Sequence, residues 1–244
     1  TLTNNMRKIF STALAFFLAT SLFAQTDTAG RVLRPARVPS SDHFMIQLGS
    51  AIWLNKPDSI RTAGLPRTVN IYVMLAFPFK TNPNMSVAIG PGISNDNMFF
   101  NRTNIGIKEN TPAIRFQNAA DTNAFKKYKL STVFAEAPIE LRYSSNPGDN
   151  AKSIKAAVGV KVGTLLSAWV KGKELQNRSG NAIGDYTMKE KSKKFFNTTR
   201  LSLTGRVGYG HFSLFASYAV TPLFKEGLGP KIQPMAVGLA ISGL

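Results

Sequence analysis

The most constraining feature of this chain is the pair of long alternating segments in residues 128–173, YKLSTVFAEAPIELRYSSNPGDNAKSIKAAVGVKVGTLLSAWVKGK. In the first segment Val133, Ala135, Ala137, Ile139, Leu141 and Tyr143 fall on one face, opposite Thr132, Glu136, Glu140 and Arg142. In the second, Ile154, Ala156, Val158, Val160, Val162, Thr164, Leu166, Ala168 and Val170 fall opposite Lys155, Gly159, Lys161, Gly163 and Ser167. A period of two over such lengths is the signature of β-strands with one apolar and one polar face. The polar turn SNPGDN between them makes the pair a hairpin.

The same alternation recurs along the chain and predicts eight strands, at about 44–54, 69–79, 85–93, 128–143, 154–170, 195–209, 212–220 and 234–243. No segment after residue 25 has helical periodicity. The links after strands two, four and six are short, and the others are longer, with 95–127 and the lysine-rich 172–194 the longest. An even-stranded outer-membrane barrel has short periplasmic turns and long outer loops. The expected fold is therefore all-β: a single antiparallel eight-stranded transmembrane β-barrel with both termini at the short-turn, periplasmic end.

The N-terminal region reads as an export signal: Arg7 and Lys8 follow Met6, an apolar run reaches Phe23, and cleavage is expected after Ala24. The expected organisation is upstream residues and signal over 1–24, a polar periplasmic tail over 25–43 and the barrel over 44–244. There are no cysteines, which excludes a disulfide framework and thiolate metal sites. A net charge of +17 on an exported chain favours anionic lipid or surface polysaccharide as neighbours over nucleic acid.

Alternation alone does not separate a membrane barrel from a soluble one, because the two differ only in which face turns inward. The aromatic residues favour the membrane. Phe44, Phe79, Tyr143, Tyr209 and Phe212 lie on the apolar phase of five different strands, each at the short-turn end, where a periplasmic aromatic girdle would sit. Pro91 and Pro138 fall inside expected strands and each removes a ladder donor, so a bulge, a register break or different strand limits are expected there.

Four phrases carry a family resemblance: LFAQ at the signal end, GPGIS, the strand AEAPIELRY and the following KAAVGVKVG. Together they resemble the PorT-like outer-membrane β-barrel proteins over most of the chain from Phe44 onward. The resemblance implies a porin-like small barrel in the outer membrane of a Gram-negative bacterium. One member of that family serves protein secretion and gliding, so secretion-complex proteins are implied partners. No active-site residues carry over.

Seven charged residues share the inward phase and form the expected lumen charge network: Glu136, Glu140, Arg142, Lys155, Lys161, Arg200 and Arg206. Buried charges must pair or be hydrated. A salt-bridged plug with a structural or interaction role is the expected outcome, because eight strands enclose little more than side chains. The alternative is a narrow anion-favouring pore, since bases outnumber acids on this phase. Catalysis is not expected. His43 and His211, the two histidines, both map to the periplasmic end, and no HExxH, GxSxG or phosphate-loop pattern is present. No cofactor or metal is implied. The outer loops carry Arg102, Lys108, Lys126, Lys127, Lys173, Arg178, Lys189, Lys191, Lys193 and Lys194, which could grip lipopolysaccharide phosphates. Trp53 and Trp169, on the inward phase near the outer ends of their strands, are expected to close the barrel mouth.

Overall fold

The computed structural model describes residues 43–243. The expected signal peptide and nearly all of the tail lie outside the described residues. Thirteen strands follow one another: β1 (Phe44–Leu54), β2 (Arg67–Val73), β3 (Leu75–Pro78), β4 (Met85–Ile89), β5 (Gly92–Phe100), β6 (Thr103–Ile105), β7 (Phe116–Asn118), β8 (Ala124–Ser144), β9 (Ile154–Gln176), β10 (Ala182–Lys191), β11 (Thr199–Tyr209), β12 (Phe212–Ala219) and β13 (Gln233–Ser242). Eight of them close a ring by antiparallel pairing, in the order β1, β2, β5, β8, β9, β11, β12, β13 and back to β1. Closure removes the unpaired edges that an open sheet would present.

The remaining strands extend this ring. The β3–β4 hairpin prolongs it at the short-turn end, with β4 paired to β8. At the other end β10 adds to β9, and β6 and β7 form a separate small hairpin. The two segments read as loops, 95–127 and 172–194, are therefore partly strand. β5 runs on to Phe100, and β8 and β9 rise well past the ring before β10 folds back on β9. The sixth strand begins at Thr199, and Phe195 and Phe196 before it are buried.

The two prolines behave differently. At Pro91 the third expected strand is interrupted between β4 and β5, and the facing strand is interrupted at Met74; the Val73 amide donates to the Pro91 carbonyl at 2.9 Å across the break. Pro138 causes no break, correcting the expectation: it stays in register opposite Lys161. The irregularity lies higher, where Val133 pairs with Ser167 and Phe134 with Leu165, so that Leu166 is one residue too many. Such a bulge reverses which residues face inward beyond it. Ala168 and Val170 consequently turn inward and are fully buried, while Trp169, Lys171 and Lys173 take the outward phase. Trp169 thus lies on the outer wall rather than at the mouth, because alternation cannot be carried through a bulge.

The apolar phase of the ring faces out. Leu48, Ile71, Ile93, Leu141, Val158, Leu203, Leu214 and Leu239, from all eight ring strands, are exposed. On β8 this belt runs from Tyr143 to Val133. Ten steps of ~3.3 Å, tilted by ~40°, rise about 25 Å, the height of the apolar band of a membrane barrel.

Candidate functional site

The interior is built from the opposite phase, and each of the seven expected lumen residues is buried there. They form two tiers. In the tier nearer the short turns, Glu140 of β8 accepts from Arg142 Nε at 2.9 Å and from Arg206 Nη2 of β11 at 3.3 Å. Lys155 of β9 lies buried at this level, paired in register with Ser144 and Gly208.

In the upper tier Arg200 of β11 reaches across the lumen. Its guanidinium donates to Asp96 Oδ2 of β5 at 2.6 Å, to Ser94 Oγ at 2.8 Å and to Glu136 Oε1 of β8, with Nε 3.0 Å from that oxygen. It also stands 3.9 Å from the centre of the Phe134 ring. The other Glu136 oxygen accepts from the Tyr72 hydroxyl at 2.6 Å. Lys161 Nζ donates to that hydroxyl at 3.2 Å and to Gln47 Oε1 at 3.1 Å. Thr68 donates to Asp96 at 2.6 Å, and Asn70 to Gln47 at 3.1 Å. Six of the eight ring strands, β1, β2, β5, β8, β9 and β11, contribute to this one network. A carboxylate in such a place is stable only while its partners hold it.

The small residues of the inward phase make room for these chains. In register, Gly163 faces Glu136 and Gly159 faces Glu140, with Lys161 between them opposite Pro138. A Cβ on Gly163 would meet Glu136 Cγ at 2.9 Å. The space left in the upper tier, lined by Thr68, Asn70, Asp96, Glu136, Lys161 and Arg200 among others, is about 20 Å³. That is room for about one water. A second space of about 10 Å³ lies higher, bounded by Trp53, Asp96, Met98 and Leu223.

Above the charges the outer mouth is filled by an apolar cluster. Trp53 stacks edge-on against Phe100 at 5.5 Å and Phe224 at 6.3 Å, and Phe224 touches Phe116 of β7 and Phe196. Ile105 and Ile107 of the β6–β7 hairpin join the same cluster. The hairpin is tied to the wall by Tyr128, whose hydroxyl accepts from the Ile105 amide at 3.1 Å and donates to the Ile105 carbonyl at 3.3 Å. Tyr128 lies beyond the apolar belt, and burial pushes its hydroxyl up to about 12.

Several members of the site lie beyond the sequence expectation. Asp96 falls in the expected loop 95–127, but in the structure β5 runs through it, and the alternation of Gly92 and Ser94 extended by one step places it inward. Tyr72, Gln47 and Asn70 sit on the inward phase as neutral residues, and only the ring closure brings them to Glu136 and Lys161. The five aromatic residues Phe44, Phe79, Tyr143, Tyr209 and Phe212 all lie at the short-turn end, four of them exposed and Phe44 half-buried. His43 and His211 lie at that end too, with Nδ1 against the carbonyls of Met74 (3.1 Å) and Ser242 (3.0 Å). Among the described residues no group of three or more His, Asp or Glu side chains could hold a metal ion.

Some of the outer-loop bases have partners within the chain. Lys126 pairs with Glu174 at 2.7 Å, Arg178 with Asp121 at 3.3 Å, and Arg102 donates to the Ala120 and Arg178 carbonyls. Lys194 donates to the Glu109 and Thr111 carbonyls, and Lys193 to the Leu165 carbonyl. Lys108, Lys127, Lys173, Lys189 and Lys191 are exposed.

An antiparallel ring of eight strands with its polar wall inside, an apolar belt outside and aromatic residues around one rim defines a small membrane β-barrel. No protein-family model matches the chain, and no curated protein matches it. Among solved structures it is similar to Ail, the attachment invasion locus protein of Yersinia pestis. In complex with the heparin analogue sucrose octasulfate, Ail aligns at 12% identity over 82% of this chain and 94% of its own, with a TM-score of 0.38. A second Ail structure aligns at 13% identity over the same shares, with a TM-score of 0.32.

Proposed function

We propose that this protein is a bacterial outer-membrane barrel of the PorT-like kind with a structural or interaction role, its lumen closed by charged side chains and its outer end presented to lipid and to partners. The observation that carries this reading is the upper network: Arg200, Asp96, Glu136, Tyr72, Lys161 and Gln47 bridge six strands and leave about 20 Å³ among them. The apolar cluster around Trp53 and Phe224 supports the same conclusion at the mouth. For the PorT-like assignment the support is where the shared phrases fall: GPGIS spans the break between β4 and β5, while AEAPIELRY and KAAVGVKVG form the facing walls of β8 and β9 that carry Glu136, Glu140 and Lys161.

Two measurements test the reading in turn. The full chain, expressed with its export signal, is expected in the outer-membrane fraction, migrating faster unboiled than boiled. Purified and placed in a planar bilayer, it is expected to give no steady conductance. A steady current abolished by Lys161→Gln would replace the closed barrel with the anion-favouring pore. A secretion role requires a stable protein partner retained through detergent purification, and a clean monomer would count against it.

A further inference from the structure

The bulge at Leu166 sets up a surface that the lumen does not explain. Beyond it, Lys129 of β8 lies directly opposite Lys171 of β9, and Lys171 lies directly opposite Lys189 of β10. Three lysines therefore stand in one row across three adjacent strands, on the outward face, with Lys129 Nζ donating to Asn97 Oδ1 at 2.8 Å. Like charges directly opposite in a sheet are destabilising. The neighbouring rows add Lys127 and Lys173 above, and Trp169 and Lys191 below. Arg67 and Lys129 flank the Phe99 ring, at 5.8 and 6.0 Å, and Lys189 sits over Trp169 at 5.2 Å. Among the described residues none of the three row lysines has a carboxylate partner; Glu174, the nearby acid on β9, is taken by Lys126, and Glu190 takes the opposite, inward phase.

Position matters as much as charge. Val133, the last apolar residue of the β8 belt, stands only four residues from Lys129. The row thus caps the belt at the level where headgroups begin, and Trp169 occupies the interfacial position that tryptophan favours. Resting on the reading of the chain as a membrane barrel, we infer that Lys129, Lys171 and Lys189, with Arg67 and Trp169 beside them, form a binding site for the phosphate of an anionic lipid in the outer leaflet. The lipid's acyl chains lie along the β8–β9 wall below and its phosphate bridges the lysine row. A bound phosphate turns the repulsion along the row into attraction, which a salted but lipid-free surface does not.

The test is a lipid titration of the detergent-solubilised full chain followed by native mass spectrometry, with dioleoyl phosphatidic acid as the probe and phosphatidylcholine and inorganic phosphate as the comparison arms. Each lysine near a headgroup contributes about fivefold in affinity, so Lys129→Gln, Lys171→Gln and Lys189→Gln together are expected to weaken phosphatidic acid binding on the order of a hundredfold. A control triple at Lys108, Lys193 and Lys231, equal in charge, is expected to leave it unchanged. In neutral detergent without anionic lipid, the row variant is expected to unfold at a higher temperature than the wild type, because the repulsion is gone. Equal binding by the row and control variants would overturn the site. Displacement by inorganic phosphate at the lipid's own concentration would overturn the lipid in favour of a free ion. These failures are distinct from failure of the barrel reading, which would be a protein recovered without detergent and with one gel mobility.

Discussion

Arg200→Met is the substitution that most directly decides whether the interior is a plug or a wet conduit. The side chain is buried, and its guanidinium holds two carboxylates at once, Asp96 at 2.6 Å and Glu136 through Nε and Nη2. Methionine keeps the apolar contact with Phe134 but leaves both acids without their shared cation. Removing one partner of a buried pair costs ~3–5 kcal/mol, because the remaining charge stays desolvated. Glu136 keeps the Tyr72 hydroxyl, with Lys161 beside it, so the lower half of that range is expected, about 3 kcal/mol. The assay is urea unfolding of the barrel in phosphatidylcholine vesicles, read from the gel shift between folded and unfolded bands. Adding Asp96→Asn to Arg200→Met leaves the upper tier neutral, with Glu136 balanced by Lys161 through the Tyr72 hydroxyl, and should recover most of the loss, since no buried charge is then left without its counter-charge. In a water-filled lumen the same pairs would be screened and worth ~0–1 kcal/mol. A loss below about 1 kcal/mol for Arg200→Met would thus refute the closed interior on energetic grounds, independently of any conductance record.

Three further outcomes follow from the same geometry. Val158→Arg, at an exposed position within the apolar belt of β9, should destabilise the vesicle-inserted barrel by ~2–4 kcal/mol; no loss in urea unfolding would mean that this wall faces water. Gly163→Val should cost ~1–3 kcal/mol by overpacking, because the new side chain meets Glu136 Cγ, and the same assay should show Gly163→Ala costing less. The outer cap should loosen at alkaline pH. Tyr128 is raised by burial, so its protonated form is favoured in the folded cap; that contribution is intact below pH ~10 and lost as pH rises toward about 12. Trp53 fluorescence in a Trp169→Phe background should report this opening, and Tyr128→Phe should abolish its pH dependence.

Alternation alone determined that the chain is all-β, how many strands line the ring and which residues face in, because side-chain direction in a strand is a local property with a period of two. It placed Glu136, Glu140, Lys161 and Arg200 on one phase from four separate strand readings. In the structure the alternation runs in register through β8, Pro138 included, and β9 changes phase at the extra residue Leu166, past which Trp169, Lys171 and Lys173 exchange faces with Ala168 and Val170. Only the tertiary structure decided partnership. Arg200 meets Asp96 across 104 residues of chain and Lys161 meets Gln47 across 114, distances over which no local pattern speaks. The lysine row is likewise a product of register, since Lys129, Lys171 and Lys189 are unremarkable until three strands are laid side by side. Ring closure and one bulge, both set by long-range hydrogen bonding, turned a list of inward and outward residues into a filled lumen and a charged rim.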